Sequence, residues 1–187
     1  MAVLPILITG DPVLHTPARA VTEFDDSLAL LVQNMIDTMH EAPGVGLAAP
    51  QVGVPLRLFV FDWTDEGTNW NGVAINPELL ITPTPVGEAD DETESEGCLS
   101  IPGARFALRR SDRAILRAVD LHEHPFEIDA TGWLARIFQH EFDHLDGVLY
   151  ADRLDYAHAK ASSKSIRKKN WGVPGLSWMP GEDHLED

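Results

Sequence analysis

Residues 131–145 read Thr-Gly-Trp-Leu-Ala-Arg-Ile-Phe-Gln-His-Glu-Phe-Asp-His-Leu, with His140 and His144 four apart and Glu141 between them. Trp133, Leu134, Ile137 and Phe138 recur at helical spacing. The stretch therefore predicts a buried helix from near Thr131 to about Leu145, ending before Gly147. Positions i and i+4 share a helix face, so both imidazoles can grip one metal ion. Glu141 then stands beside the metal, where a general base for water belongs. A buried helix does not carry such groups without partners, because unpaired polar groups there are costly. The alternative is a hydrogen-bonded, metal-free histidine pair.

Working outward, Leu28, Leu31, Val32, Met35, Ile36 and Met39 predict a helix over Asp26–Glu41, with Asp25 or Asp26 as cap and Pro43-Gly44 as stop. Short strand-like runs follow at Leu56–Trp63, Gly72–Asn76, Ala104–Leu108, Ala114–Asp120 and Phe126–Ala130, separated by turns rich in Pro and Gly. A third helix is expected from Leu154 to Lys169. Strands clustered between helices suggest an α+β fold, with mixed or antiparallel sheets packed around the central metal-binding helix and a helix near each terminus. We expect one catalytic domain over residues 1–170. The aperiodic tail, 171–187, is expected to wrap the surface or fray.

The chain has 187 residues and a net charge of −16, which disfavours a general nucleic-acid binder or specific DNA recognition. No apolar run approaches the roughly 20 residues needed to span a bilayer. The N-terminal stretch lacks the basic start of a signal peptide, and a single cysteine cannot form an internal disulfide; a cytoplasmic protein is expected. All four lysines, Lys160, Lys164, Lys168 and Lys169, fall in the third helix with Arg167. Glu88, Asp90, Asp91, Glu92, Glu94 and Glu96 form an acidic stretch, read as solvated surface.

The third metal ligand is open on the residues alone. Tyr150 occupies the position where an extended zincin motif would have histidine, and Glu182 or Glu186 would have to serve from an irregular tail. Cys98, in Glu96-Gly97-Cys98-Leu99-Ser100, offers a thiolate suited to zinc or ferrous iron, but an isolated cysteine is also often a small buried hydrophobe. The run Gly44-Val45-Gly46-Leu47-Ala48-Ala49-Pro50-Gln51 contains a nominal dinucleotide fingerprint. It follows a helix instead of a strand, and Pro50 interrupts it, so close backbone approach and the Gln51 amide are the better reading.

These three segments, in this order, resemble the peptide deformylase family, with its Gly-φ-Gly-φ-Ala-Ala-x-Gln loop, Glu-Gly-Cys-Leu-Ser turn and His-Glu-x-Asp-His helix. The similarity runs from Pro5-Ile6-Leu7 to about Tyr150. It implies removal of the formyl group from formyl-methionyl peptides, the N-termini of nascent polypeptides. By the same resemblance Cys98, His140 and His144 bind one divalent metal, natively Fe2+, with Zn2+, Ni2+ or Co2+ as alternatives, and a fourth position is open to water. Glu141 becomes the proton shuttle, the Gln51 amide and the Leu99 backbone N–H hold the oxyanion, and the Gly46 backbone contacts substrate. Gly44 and Val45 pair with the peptide beside it, while Val45, Trp133, Ile137 and His140 wall the methionine pocket. Arg110 is implied to pair with Glu96 and brace Cys98. Arg136, one turn before His140, is expected to line the pocket with its stem and reach water with its guanidinium. The basic helix 154–169 is implied as a ribosome contact.

Two other readings compete. A small zinc metallopeptidase would take a downstream ligand and ignore Cys98. A catalytically silent ribosome-binding protein of the same fold would have no use for Gln51, Cys98, His140, Glu141 and His144 together.

Overall fold

In the computed structural model, which describes residues 2–185, the apolar stripe of the first helical stretch forms α1 (Asp26–Glu41). Asp25 caps it, its Oδ1 accepting from the backbone N–H groups of Ser27 and Leu28, each at 3.0 Å. Leu28, Val32, Met35 and Met39 are buried.

The strands are β1 (Ile6–Leu7), β2 (Gly46–Ala48), β3 (Leu58–Asp65), β4 (Thr68–Ile81), β5 (Ser95–Cys98), β6 (Ile101–Ala107), β7 (Arg113–Val119), β8 (Pro125–Thr131) and β9 (Ser177–Trp178). The other helices are α2 (Gly132–Leu145) and α3 (Tyr156–Lys168). An antiparallel sheet of order β2-β3-β4-β7-β8 forms the platform, and β5 pairs with β6 in a separate hairpin. The fold is the expected α+β arrangement of antiparallel sheets around a central helix.

β3 shows why its sequence reads as a continuous apolar run. Leu58 and Val60 face the core containing α1, while Phe59 and Phe61 face α2, where Phe61 meets Phe138 edge-on at 5.1 Å. With both faces of the strand buried, polar alternation disappears.

Strand boundaries differ most at β4, which is far longer than Gly72–Asn76 because its first half pairs with β3 and its second with β7. Asn76-Pro77 looks like a terminator because proline cannot donate to a ladder; the strand instead passes through it as a bulge. Asn76 takes a positive φ of 49°, and its side chain exchanges two hydrogen bonds with the Val21 backbone. The very short strands β1, β2, β5 and β9 carry too few residues for any period to show.

The tail departs from expectation. β9 pairs antiparallel with β1, and Trp178 is 1% exposed, its indole N–H donating to the Leu99 carbonyl at 2.8 Å. A large aromatic with a satisfied N–H gains more from burial than a two-residue strand costs to order. Glu186, one of the alternative ligands, lies outside the described residues. Among the described residues, no helix is long and apolar enough to cross a membrane.

Candidate metal centre and substrate cleft

α2 carries His140 and His144 on one face, with ring centroids 5.1 Å apart. The β5–β6 hairpin brings Cys98 to them: its Sγ lies 3.3 Å from His144 Nε2. Ligand atoms of Cys98, His140 and His144 all fall within 4.8 Å of one another, and all three residues are buried in this constellation. Glu182 is exposed and does not join it.

Of the two imidazoles, His140 is oriented by a neighbour, whereas His144 Nδ1 is buried without a hydrogen-bond partner. His140 Nδ1 lies 3.0 Å from Glu96 Oε2, which leaves Nε2 for a metal. Glu96 is 3% exposed and accepts a bidentate pair from Arg110 at 2.8 and 2.9 Å. Arg110 also donates to Asp143 at 2.6 Å, and Asp143 accepts two bonds from Arg153. The expected Arg110–Glu96 pair is present, and its contact to the site is with His140; the extension through Asp143 to Arg153 carries no sequence signal, because partners ten or more residues apart leave no local pattern.

Burial alone would raise the Glu96 carboxyl, but hydrogen bonds from His140 and Arg110, with their charges, hold it well below the usual carboxylate range. Arg110 is correspondingly held charged: burial opposes its charge and is outweighed by Glu96 and Asp143. His140 is raised well above an ordinary histidine, burial being overcome by contacts to Cys98 and Glu96. His144 is lowered by burial and by the neighbouring His140. A neutral His144 beside a thiol is a ready soft-metal donor set.

Gln51 sits in a short 3-10 turn after β2, 2% exposed. Its Oε1 accepts from Ala48 N–H at 2.9 Å, and Nε2 donates to Ser100 Oγ at 3.3 Å and faces Cys98 Sγ at 3.9 Å. The carbonyl end is thereby committed to the backbone and the amide N–H end to the site.

Glu141 is 4% exposed, and its Oε2 has no hydrogen-bond partner. Burial pushes its pKa up to about 7, ahead of the opposing effects of His140 and Arg110. It packs against Gly46 so tightly that a β-carbon there would meet its carboxyl group. The glycine run serves close approach, as its sequence suggested.

Above these groups lies a cavity of ≈ 500 Å³, lined by Gly44, Val45, Gly46, Gln51, Cys98, Leu99, Trp133, Arg136, Ile137, His140 and Glu141. Trp63 and Arg105 also line it; neither carries a sequence signal of its own. Trp63 packs on Trp133 with centroids 6.3 Å apart.

Arg136 corrects an expectation. It lines the cavity, but its guanidinium does not reach water: it is 8% exposed and donates to Glu96 Oε1 at 2.7 Å and the Leu108 carbonyl at 2.6 Å. A buried carboxylate with acceptor capacity to spare offers a guanidinium a better partner than snorkelling does. Glu96 is likewise no part of a solvated acidic surface.

The family model "Polypeptide deformylase" matches residues 3–160. The chain belongs to the peptide deformylase family. The peptide deformylase of Tropheryma whipplei (strain TW08/27) is 48% identical, the match covering 96% of this chain and 94% of the relative. That of Mycolicibacterium paratuberculosis is 47% identical over 97% of this chain and 96% of its own. Among solved structures, a peptide deformylase from Legionella pneumophila superposes with a TM-score of 0.76 at 39% identity, covering 90% of this chain and 96% of that one. The Synechococcus elongatus enzyme, solved in complex with actinonin, gives 0.76 at 36% identity over 92% of each chain. Peptide deformylases are metal-dependent hydrolases that remove the formyl group from the N-terminal formylmethionine of nascent polypeptides, releasing formate, and this chain is one of them.

Proposed function

We propose that this deformylase works through Cys98, His140 and His144 as metal ligands and Glu141 as the group that moves the proton. The observation that carries the reading is the unpartnered Glu141 carboxylate oxygen, buried beside three converging ligand atoms at the base of the cavity. The donor set fits a divalent metal: one thiolate and two imidazoles, with the second ring nitrogen of His140 already fixed by Glu96. A metal held there supplies a Lewis acid that acidifies water and polarises the formyl carbonyl. We assign Fe2+ as the native ion by analogy with the family; the thiolate–imidazole donors would accept Zn2+, Ni2+ or Co2+ as well, so the donor set alone does not select it.

The protein's own groups do the rest. Glu141 takes a proton from the attacking water as its oxygen bonds to the formyl carbon. It then delivers that proton to the amine nitrogen as the C–N bond breaks, leaving formate and a free N-terminus. A buried carboxylate with one unpartnered oxygen is placed to take up that proton and return it. The Gln51 amide, locked by Ala48 N–H, and the Leu99 backbone N–H hold the developing oxyanion. β2 is an edge strand of its sheet, so its outer side at Gly46 is open to an extended peptide. Gly44 and Val45 lead into it, although the Gly44 N–H is given to the Met39 carbonyl and the Val45 carbonyl accepts from Asp62 N–H. Such pairing suits an enzyme indifferent to the residues after methionine. Trp133, Arg136 and Ile137 then meet the methionine side chain.

Activity on emerging chains supports a cytoplasmic location, and Lys160, Lys164, Arg167 and Lys168 on α3 are the proposed ribosome contact. Lys169 is otherwise engaged, with its Nζ on the Pro102 carbonyl and over the Trp171 ring.

Anaerobically iron-loaded protein should release formate from formyl-Met-Ala-Ser. Cys98→Ala should lose metal and activity together, whereas Glu141→Gln should lose activity and keep metal. A Cys98→Ala protein that retained both would return the site to a metallopeptidase-like reading. Co-sedimentation with ribosomes, lost when Lys160, Lys164, Arg167 and Lys168 are changed to glutamine, tests the docking assignment separately.

A further inference from the structure

We infer that the acidic segment 88–96 positions the substrate pocket: Glu94 holds Arg136 in the pocket wall and so sets which first side chains the cleft admits. The inference rests on the proposed seating of the substrate's first side chain against Arg136 and Ile137.

Glu94 does not behave like its acidic neighbours. Its side chain is 16% exposed, against 78% for Asp91. Its two carboxylate oxygens bridge two guanidiniums, Oε1 at 3.3 Å from Arg136 Nη2 and Oε2 at 3.0 Å from Arg109 Nη2. Arg136 completes its set with Glu96 and the Leu108 carbonyl, and its guanidinium carbon lies 5.2 Å from the centre of the Trp133 ring. Both faces of this contact line the cavity.

The aim of Glu94 is fixed by its own segment. Asp90 accepts from the backbone N–H groups of Glu92 and Thr93 at 2.9 and 2.8 Å, folding the chain into a turn that returns Glu94 toward α2. Asp91 ties that turn to α3 through His158 Nε2 at 3.1 Å. Arg109 also donates to the Glu88 carbonyl, at the near end of the segment.

Charge accounting says why Glu94 is needed. Glu96 accepts a bidentate pair from Arg110, which Asp143 also pairs, and it accepts from Arg136 as well, so two buried guanidiniums share that carboxylate. Glu94, shared with Arg109, is the second carboxylate on Arg136. Without it, a long flexible side chain relaxes most easily by swinging its guanidinium toward water, which opens the wall beside Trp133 and Ile137. Glu94 is therefore a positioning residue, acting through Arg136.

The test compares wild type, Glu94→Gln, Arg136→Met, the double variant and the exposed control Glu92→Gln. All are iron-loaded, with formyl-Met-Ala-Ser and formyl-Phe-Ala-Ser as substrates. Calorimetric affinity for the products Met-Ala-Ser and Phe-Ala-Ser supplies a readout without turnover. Glu94→Gln should raise the Phe-to-Met ratio of kcat/KM about tenfold. The change should appear in KM, with kcat on formyl-Met within about twofold, and product affinities should shift in parallel. Glu92→Gln should match wild type, and the double variant should match Arg136→Met alone. An unchanged ratio in Glu94→Gln beside an altered ratio in Arg136→Met would overturn the inference and leave the pocket reading standing. An unchanged ratio in Arg136→Met would overturn the pocket reading itself, and the inference with it. Additive effects in the double variant, or an equal fall in kcat on both substrates, would also overturn the positioning role.

Discussion

Gly46 and Glu141 are packed so closely that a β-carbon on the glycine would lie 2.8 Å from Cδ of the glutamate. The edge strand proposed to receive the peptide and the residue proposed to move the proton are thus fitted to each other, one on β2 and one on α2. Gly46→Ala should push the carboxyl group off its position, lowering kcat by about 100-fold or more, as a misplacement near 1 Å commonly does. Overpacking should also cost about 1–3 kcal/mol of stability. Steady-state formate release and urea denaturation check the two effects; wild-type kcat in this variant would contradict the packing argument.

Glu141→Gln should separate catalysis from folding. Activity should fall by about 10² to 10⁴, the usual worth of a positioned general base, while metal content stays at one ion. The folded protein should not become less stable at pH 8. A buried carboxylate with an unpartnered oxygen, raised to about 7, opposes folding as pH rises from its unfolded value near 4.3 through 7. Thermal denaturation of metal-free protein across pH 5–8 should show the wild-type-minus-variant difference moving against wild type as pH increases.

Glu96 carries the opposite sign. Its folded pKa is depressed, so its contribution is complete above about 4.3 and is lost as pH falls toward the folded value. Glu96→Gln leaves Arg110 with Asp143 and Arg136 with Glu94, each a carboxylate already shared with another arginine, and should cost about 3–5 kcal/mol at pH 7. The gap from wild type should narrow between pH 5 and pH 3 in urea titrations. The variant should also bind metal more weakly, by about 10- to 100-fold, because His140 loses the carboxylate that orients it.

Trp178 should matter to the site from a distance. Trp178→Ala removes a fully buried aromatic and its bond to the Leu99 carbonyl, costing about 3–5 kcal/mol. Because Leu99 is the proposed backbone donor to the oxyanion, kcat should drop alongside stability. Truncation after residue 170 should reproduce both effects. A stable, fully active truncated protein would mean that the β1–β9 pairing is dispensable.

The parts of this molecule legible in the sequence are those with local periodicity or local chemistry. α1 and α2 were readable because their buried residues recur every three or four positions. His140 and His144 lie one turn apart, so their common face follows from helix geometry alone, with Glu141 beside it. β4 looks shorter in sequence than it is because Asn76-Pro77 breaks the local pattern, whereas the bulge that accommodates it depends on two partner strands. The burial of Arg136 is hidden for a similar reason. A lone arginine one turn before a proposed metal ligand looks solvent-seeking until Glu94 and Glu96, about forty residues upstream, are placed beside it.

By itself the sequence determined the chemistry: two imidazoles and a carboxylate on one helix, a thiol in a turn, and an amide after a glycine run. A helix repeats every 3.6 residues, and side-chain types carry their own donor and acceptor properties wherever they stand. Only the tertiary structure decided how those pieces meet. It brought Cys98 to 3.3 Å from His144, turned the Gln51 amide inward, buried Arg136 between two glutamates, and used Trp178 to fasten the tail beneath Leu99. Each of those contacts joins distant segments, and its energy exists only when burial removes water from both partners at once.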